Sequence, residues 1–215
     1  AGGDLNALVG LLGFIGGVFV GTIFLNKGFS LSRNYNVKKT DGYIFPAINI
    51  GFLILLVLAP PFIFFSEKGP GSMHAPILIS LGAGLIVGAI AQRSRICMAG
   101  GIRDVFLLKD FHLLYGSIGV LVFALIGNII TKNFNLGFVG QPVAHTNHLW
   151  NFLGLFIVGW TGVLLGGCPL RQTILAGEGN MDSVITILGL IVGAGIVHNF
   201  GLASSGEGVT VNGQV

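Results

Sequence analysis

The chain has 215 residues, a net charge of +3, a mean hydropathy of +0.87 and only 9% charged residues. A soluble domain carries about 25% charged residues, so this composition excludes a soluble enzyme and makes lipid the expected solvent. The positive residues are scattered among apolar runs and form no basic patch, which excludes a nucleic-acid partner.

Glycine, at 36 residues, is the second outlier. So many helix-interior glycines are costly in water but common in membranes, where they let helices approach closely. The expected fold class is all-α. It is a polytopic integral membrane protein with about six spanning helices of roughly 20 residues each, plus two short half-helices, arranged as pseudo-symmetric repeats. The whole of 1–215 reads as a single transmembrane domain with a polar tail at 204–215.

The first span, 5–26, holds Gly17-x-x-x-Gly21, a candidate for close helix contact. No basic segment or cleavage site precedes it, so no signal peptide is read there. KGFSLSRNY (27–35) follows, with Lys27 and Arg33 as interfacial anchors. The second span, 43–65, contains Pro60-Pro61, which should kink or end the helix. Pro70 and Pro76 bracket a Gly-rich turn, and Pro76 opens a third span at 76–92.

That third span carries Gly84-x-x-x-Gly88 and runs into QRSRICMAGGIRD (92–104). A charge at the bilayer centre costs about 2.5–3.5 kcal/mol, so Arg93 and Arg95 either sit at the surface or face a polar cavity. Gly100-Gly101 are expected to break the helix and bare backbone N–H groups. The piece at 97–109 is too short to cross and reads as a half-helix, which a membrane tolerates only inside protein or along a cavity. A plain cytoplasmic loop with a passive Cys97 is the other reading.

Spans at 112–131 and 149–167 come next. The fifth contains Gly159-x-x-Gly162 and ends in GGCPLRQTILAGEGN (166–180). Gly166-Gly167 should unwind it. Cys168, pushed to extended geometry by Pro169, should cap a second half-helix that starts at Pro169 and ends at Gly177 or Gly179. A thiol there sits at the positive end of a helix dipole, which favours its ionised form and attracts anions. Arg171 lies in the first turn. A buried, inert Cys168 in a tight turn is the alternative. A sixth span is read at 182–203. His112, His145 and His148 fall near span ends and His74 in a loop. His198, beside Asn199, is either half of a polar pair between helices or a proton or substrate ligand.

The two Cys segments look like copies of one idea: an apolar helix with spaced glycines, a break, a Cys, an Arg and an Ala-Gly pair (Ala99-Gly100, Ala176-Gly177). Aligned on Arg95 and Arg171, the cysteines fall out of register. Paired interrupted helices in corresponding positions point to a transporter's midplane site. The candidate substrate path comprises Cys97, Cys168, Arg95, Arg171, Gly100, Gly101, Gly166, Gly167 and Gly177. There is no C-x-x-C, no zinc spacing and no nucleotide motif, so no disulfide framework, metal or cofactor is expected. Loop charges place 27–42 (Lys27, Arg33, Lys38, Lys39), 93–110 and 168–181 in the cytoplasm and 66–75 outside.

RSRICMAGGIRD (93–104) and GGCPLRQTILAGEGN (166–180) resemble the signature segments of the YeeE/YedE sulfur-transport family, closest to its selenium-metabolism-associated YedE branch; KGFSLSRNY is a weaker family match. The resemblance implies a pseudo-symmetric bacterial inner-membrane protein whose half-helices meet at a constriction. It also implies that Cys97 and Cys168 contact a sulfur anion such as thiosulfate. Family importers place a further cysteine elsewhere, and this chain has only two: either that segment lies outside this chain or the pathway differs, and the greater length of selenium-branch members favours a longer architecture. The implied partners are a small sulfur or selenium anion, the bilayer and a cytoplasmic sulfur or selenium acceptor protein. A membrane thiol-redox protein, a structural subunit of a membrane complex and a channel for a small neutral solute remain as other classes.

Overall fold

The computed structural model describes residues 1–32, 39–61, 75–141 and 144–203. Arg33 and Lys38, the expected span end at 62–65, most of the loop 66–75 with Lys68, Pro70 and His74, and the tail 204–215 lie outside the described residues.

Among these residues the chain is helical. The helices are α1 (Asn6–Asn26), α2 (Lys39–Gly42), α3 (Ile44–Leu58), α4 (Ile77–Ser94), α5 (Met98–Leu108), α6 (His112–Ile130), α7 (His148–Leu164), α8 (Pro169–Gly177) and α9 (Met181–Asn199). Five stretches are long and apolar enough to cross a membrane: Asn6–Asn26, Ile77–Leu108, His112–Ile130, His148–Gly177 and Met181–Asn199. The protein is therefore a multi-pass membrane protein. The second expected span is shorter where it is described. α3 stops at Leu58, and Ala59 turns left-handed (φ 41) immediately before Pro60-Pro61, which cannot continue the helix.

The core is built on a parallel helix pair, α1 against α7, set by glycine, with the start of α5 and Cys168 packed against it. A Cβ on Gly13 would collide with the Phe152 carbonyl oxygen, one on Gly17 with that of Phe156, and one on Gly159 with that of Phe14. At Gly21 it would meet Val163 Cβ at 2.9 Å. The contacts advance together along both helices, so the two run in the same direction. Bare backbones at these positions let the helices approach until Val18 and Val163 are fully buried between them. The expected Gly17–Gly21 contact is thus made, with α7 as its partner, whereas Gly84 and Gly88 on α4 meet nothing within 4 Å.

The segment before α1 is strapped to the α6–α7 loop. Leu5 N donates to the Gly137 carbonyl at 3.1 Å, Asn135 N to that of Gly2 at 2.9 Å, and the fully buried Asn6 side chain to that of Phe138 at 2.7 Å. The start of α1 and the start of α7 are therefore at one end of the molecule. Their other ends meet where the half-helices begin. The order α4–α5–α6 is repeated by α7–α8–α9, each a long, a short and a long helix of 18, 11 and 19 and of 17, 9 and 19 residues.

Candidate functional site: two capped half-helices

The break between α7 and α8 is a glycine-driven chain reversal. α7 ends at Leu164, and Gly166 takes φ +85, a conformation disfavoured for residues with a Cβ. Gly167 N then donates to the Gly162 carbonyl at 2.9 Å and Gly166 N to that of Val163 at 3.1 Å. This is the paired hydrogen bonding of a Schellman end. Cys168 is extended (φ −67, ψ 164) and Pro169 opens α8, as the sequence predicts. α8 ends at Gly177 in the same kind of turn: Gly179 (φ +90) donates to the Ala176 carbonyl and Asn180 N to that of Leu175.

Two features missed in the sequence brace this break. Gln172 is buried, and its Nε2 donates to the Leu165 carbonyl at 2.7 Å, tying the first turn of α8 to the end of α7. Its position four residues after Cys168, on the same helix face, was the available signal. From the other side, Leu31 N and Ser32 N donate to the Leu164 carbonyl at 3.0 and 3.2 Å. A Cβ on Gly166 would meet Ser32 Oγ at 3.0 Å. The 27–32 segment therefore packs on the second Cys motif, beyond its reading as an interfacial anchor.

The break between α4 and α5 is not made by Gly100-Gly101, contrary to expectation. It falls earlier, at Arg95 (φ 53), and Cys97 caps α5 with extended geometry (φ −155, ψ 115). The two glycines lie within the first turn of α5. Gly100 N donates to Cys97 Sγ at 3.2 Å and Gly101 N to the Cys97 carbonyl at 2.8 Å. The missing Cβ at Gly101 lets the start of α6 come close, for one there would stand 3.0 Å from Leu114 N.

Both cysteines are thus N-caps, and the fold brings the two caps together. Cys168 N donates to Cys97 Sγ at 3.2 Å, which makes the two cysteines neighbours in space. Cys97 Sγ therefore accepts backbone N–H groups from α5 and from the entry to α8, which leaves its own S–H free to donate. Both thiols are free and buried. Gly167 lies between the parts: its absent Cβ would meet Arg171 Cγ at 3.0 Å and Cys97 Sγ at 3.8 Å. One guanidinium nitrogen of Arg171 is buried with no hydrogen-bond partner.

The remaining candidates lie elsewhere. Arg95 is exposed at the end of α4. Gly177 is exposed at the far end of α8, where it lines a cleft of about 540 Å³ with Gly84, Gly88, Gln92, Thr173 and Glu178. His198 and Asn199 are exposed at the end of α9. Among the described residues no group of three His, Cys, Asp or Glu side chains could hold a metal.

These features define a polytopic helical membrane protein whose interrupted helices converge on buried thiols. The chain belongs to the sulphur transport family, a family of transporters rather than enzymes, whose model matches residues 93–211 and so covers both Cys segments. It is similar to the Thiosulfate transporter TsuA of Escherichia coli, at 29% identity over 133 residues, 59% of this chain and 36% of that protein. It is also similar to the Thiosulfate transporter TsuA of Spirochaeta thermophila, at 32% identity over 96 residues, 45% of this chain and 28% of that protein. The aligned part spans about a third of the length of these curated relatives. No solved structure matches.

Proposed function

We propose that this chain forms part of an importer of a small sulfur-containing anion such as thiosulfate, in the bacterial inner membrane. The Cys97–Cys168 junction is its narrowest point. The observation that carries the reading is the meeting of two half-helix N-termini at two thiols, 3.2 Å from the Cys168 amide to Cys97 Sγ. Each helix N-terminus presents roughly half a positive charge, so the two together with the Arg171 guanidinium supply about two positive charges. That matches a dianion such as thiosulfate. The buried, unpartnered nitrogen of Arg171 would find its acceptor in the passing anion.

In this mechanism the thiols donate weak, soft S–H hydrogen bonds to the polarizable sulfur, and no covalent bond forms. Gly100, Gly101, Gly166 and Gly167 keep the path lined by backbone. Arg95 and Gly177 belong to its approaches: Arg95 attracts the anion from the surface, and Gly177 opens the cleft beside α4. The names of the two relatives support thiosulfate as the substrate. With loop 27–42 in the cytoplasm and no nucleotide motif, inward flux is drawn by an ion gradient or by a cytoplasmic acceptor protein that consumes the sulfur.

The test is uptake of labelled thiosulfate into vesicles holding the full-length protein, with selenite and sulfide as competitors. Cys97→Ala and Cys168→Ala should each impair uptake while the protein stays monodisperse in detergent. The corresponding Cys→Ser variants should recover only part of the rate, because a hydroxyl keeps the hydrogen bond without the soft sulfur. Wild-type rates in both Cys→Ala variants would make the cysteines packing residues and overturn the reading.

A further inference from the structure

We propose that Cys97 and Cys168 are a modification site: a peroxide oxidises them to an intramolecular disulfide, and that bond closes the junction between α5 and α8. The pair is invisible in the chain, since 71 residues separate the two cysteines. The fold nevertheless sets them side by side as free thiols. The Cys168 amide nitrogen is 3.2 Å from Cys97 Sγ. Its Cα is one bond of about 1.46 Å further on, so it lies no more than about 4.7 Å from that sulfur. A disulfide holds its sulfurs about 2.05 Å apart and its Cβ atoms about 3.8 Å apart. A Cα that near the partner sulfur is within the reach of such a bond.

The surroundings favour this product over others. The sulfurs are buried, Cys97 at 5% exposure and Cys168 at 9%, so a bulky thiol cannot reach them to form a mixed disulfide. Hydrogen peroxide is small and neutral and needs far less room than such a thiol. One sulfur attacks a peroxide oxygen, breaking the O–O bond and giving a sulfenic acid and one water. The second sulfur then displaces the hydroxyl as a further water. Two thiols and one hydrogen peroxide become one disulfide and two waters, with both thiol protons ending in water. The bond pins the N-terminus of α5 to that of α8 and removes both S–H donors. Closure of a transport path rests on the function proposed above; formation of the bond does not.

The full-length protein in vesicles is treated with hydrogen peroxide, denatured, alkylated with a maleimide and weighed intact. Against the reduced control carried through the same steps, the expected result is a mass lower by two maleimide adducts and two hydrogens, a difference that dithiothreitol added before alkylation removes. Cys97→Ser and Cys168→Ser should each keep their remaining thiol free of any intramolecular bond. Parallel thiosulfate uptake should fall in proportion to the disulfide fraction. Two thiols still alkylated, or sulfinic acids in place of the disulfide, overturn the modification site. A disulfide that leaves uptake unchanged overturns the closure. A reduced protein that takes up no thiosulfate counts against the transport reading and leaves the mass result standing.

Discussion

Arg95 and Gly166 hold the same left-handed backbone turn, at φ 53 and φ +85, each two residues before a cysteine that caps a half-helix. Their separation equals the 71 residues between Cys97 and Cys168. The repeat is therefore in register on the cysteines, and the sequence-based pairing of Arg95 with Arg171 gives way. On this register Arg171 corresponds to Gly100, so each half-helix carries a different residue in its first turn. Gly88 and Gly159 correspond as well, yet only Gly159 is pressed against another helix.

This register has a consequence for stability. A left-handed residue with a Cβ costs roughly 1–2 kcal/mol, so Arg95→Gly should leave the thermal midpoint in detergent unchanged or raised. Gly166→Ala carries the same cost in the opposite direction and crowds Ser32 Oγ, so its midpoint should fall. Equal losses in both variants would mean that the Arg95 turn is held by its side chain.

The α1–α7 seam makes a contrast within one helix. Gly159→Ala places a methyl against the Phe14 carbonyl, whereas Gly154→Ala meets nothing within 4 Å. Overpacking of this kind costs about 1–3 kcal/mol or more, so Gly159→Ala should lose monodisperse yield on size exclusion. Gly154→Ala should behave as wild type. Wild-type yield from Gly159→Ala would show that the two helices need not touch backbone to backbone.

Arg171 separates charge from geometry. Arg171→Gln removes the positive charge and Arg171→Lys keeps it without the planar fork. Thiosulfate affinity, read as the half-saturating concentration for uptake, should weaken in both, and by more in Arg171→Gln. Charge-assisted hydrogen bonds of about 1.5–3 kcal/mol correspond to a shift of roughly 10- to 150-fold. Unchanged half-saturation with reduced folded yield would assign Arg171 to packing alone.

The parallel α1–α7 pair makes sidedness testable at two exposed positions. Lys27 and Asn133 are exposed at opposite ends of the molecule, because the start of α1 is strapped to the loop after α6. In a background lacking Cys97 and Cys168, Asn133→Cys should react with an impermeant maleimide on whole cells. Lys27→Cys should react only after lysis. The reverse pattern would invert the orientation taken from the loop charges.

What the sequence by itself determined is local. Long apolar runs with few charges must be membrane helices, because their backbone groups have no partner but each other in lipid. Pro60-Pro61 ends α3, and Gly166, Cys168 and Pro169 dictate a reversal, a cap and a new helix, since each acts through its own backbone torsions or those of its neighbours. The tertiary structure alone decided which glycines become a seam, since identical Gly-x-x-x-Gly spacing on α1 and α4 packs in one case and faces open space in the other. It also turned Arg95 outward and moved the first break from Gly100-Gly101 back to Arg95. The contact from the Cys168 amide to Cys97 Sγ is of this second kind: two caps far apart along the chain meet only because α7 and α5 both pack on α1, and no periodicity or local propensity encodes a distance between separate helices.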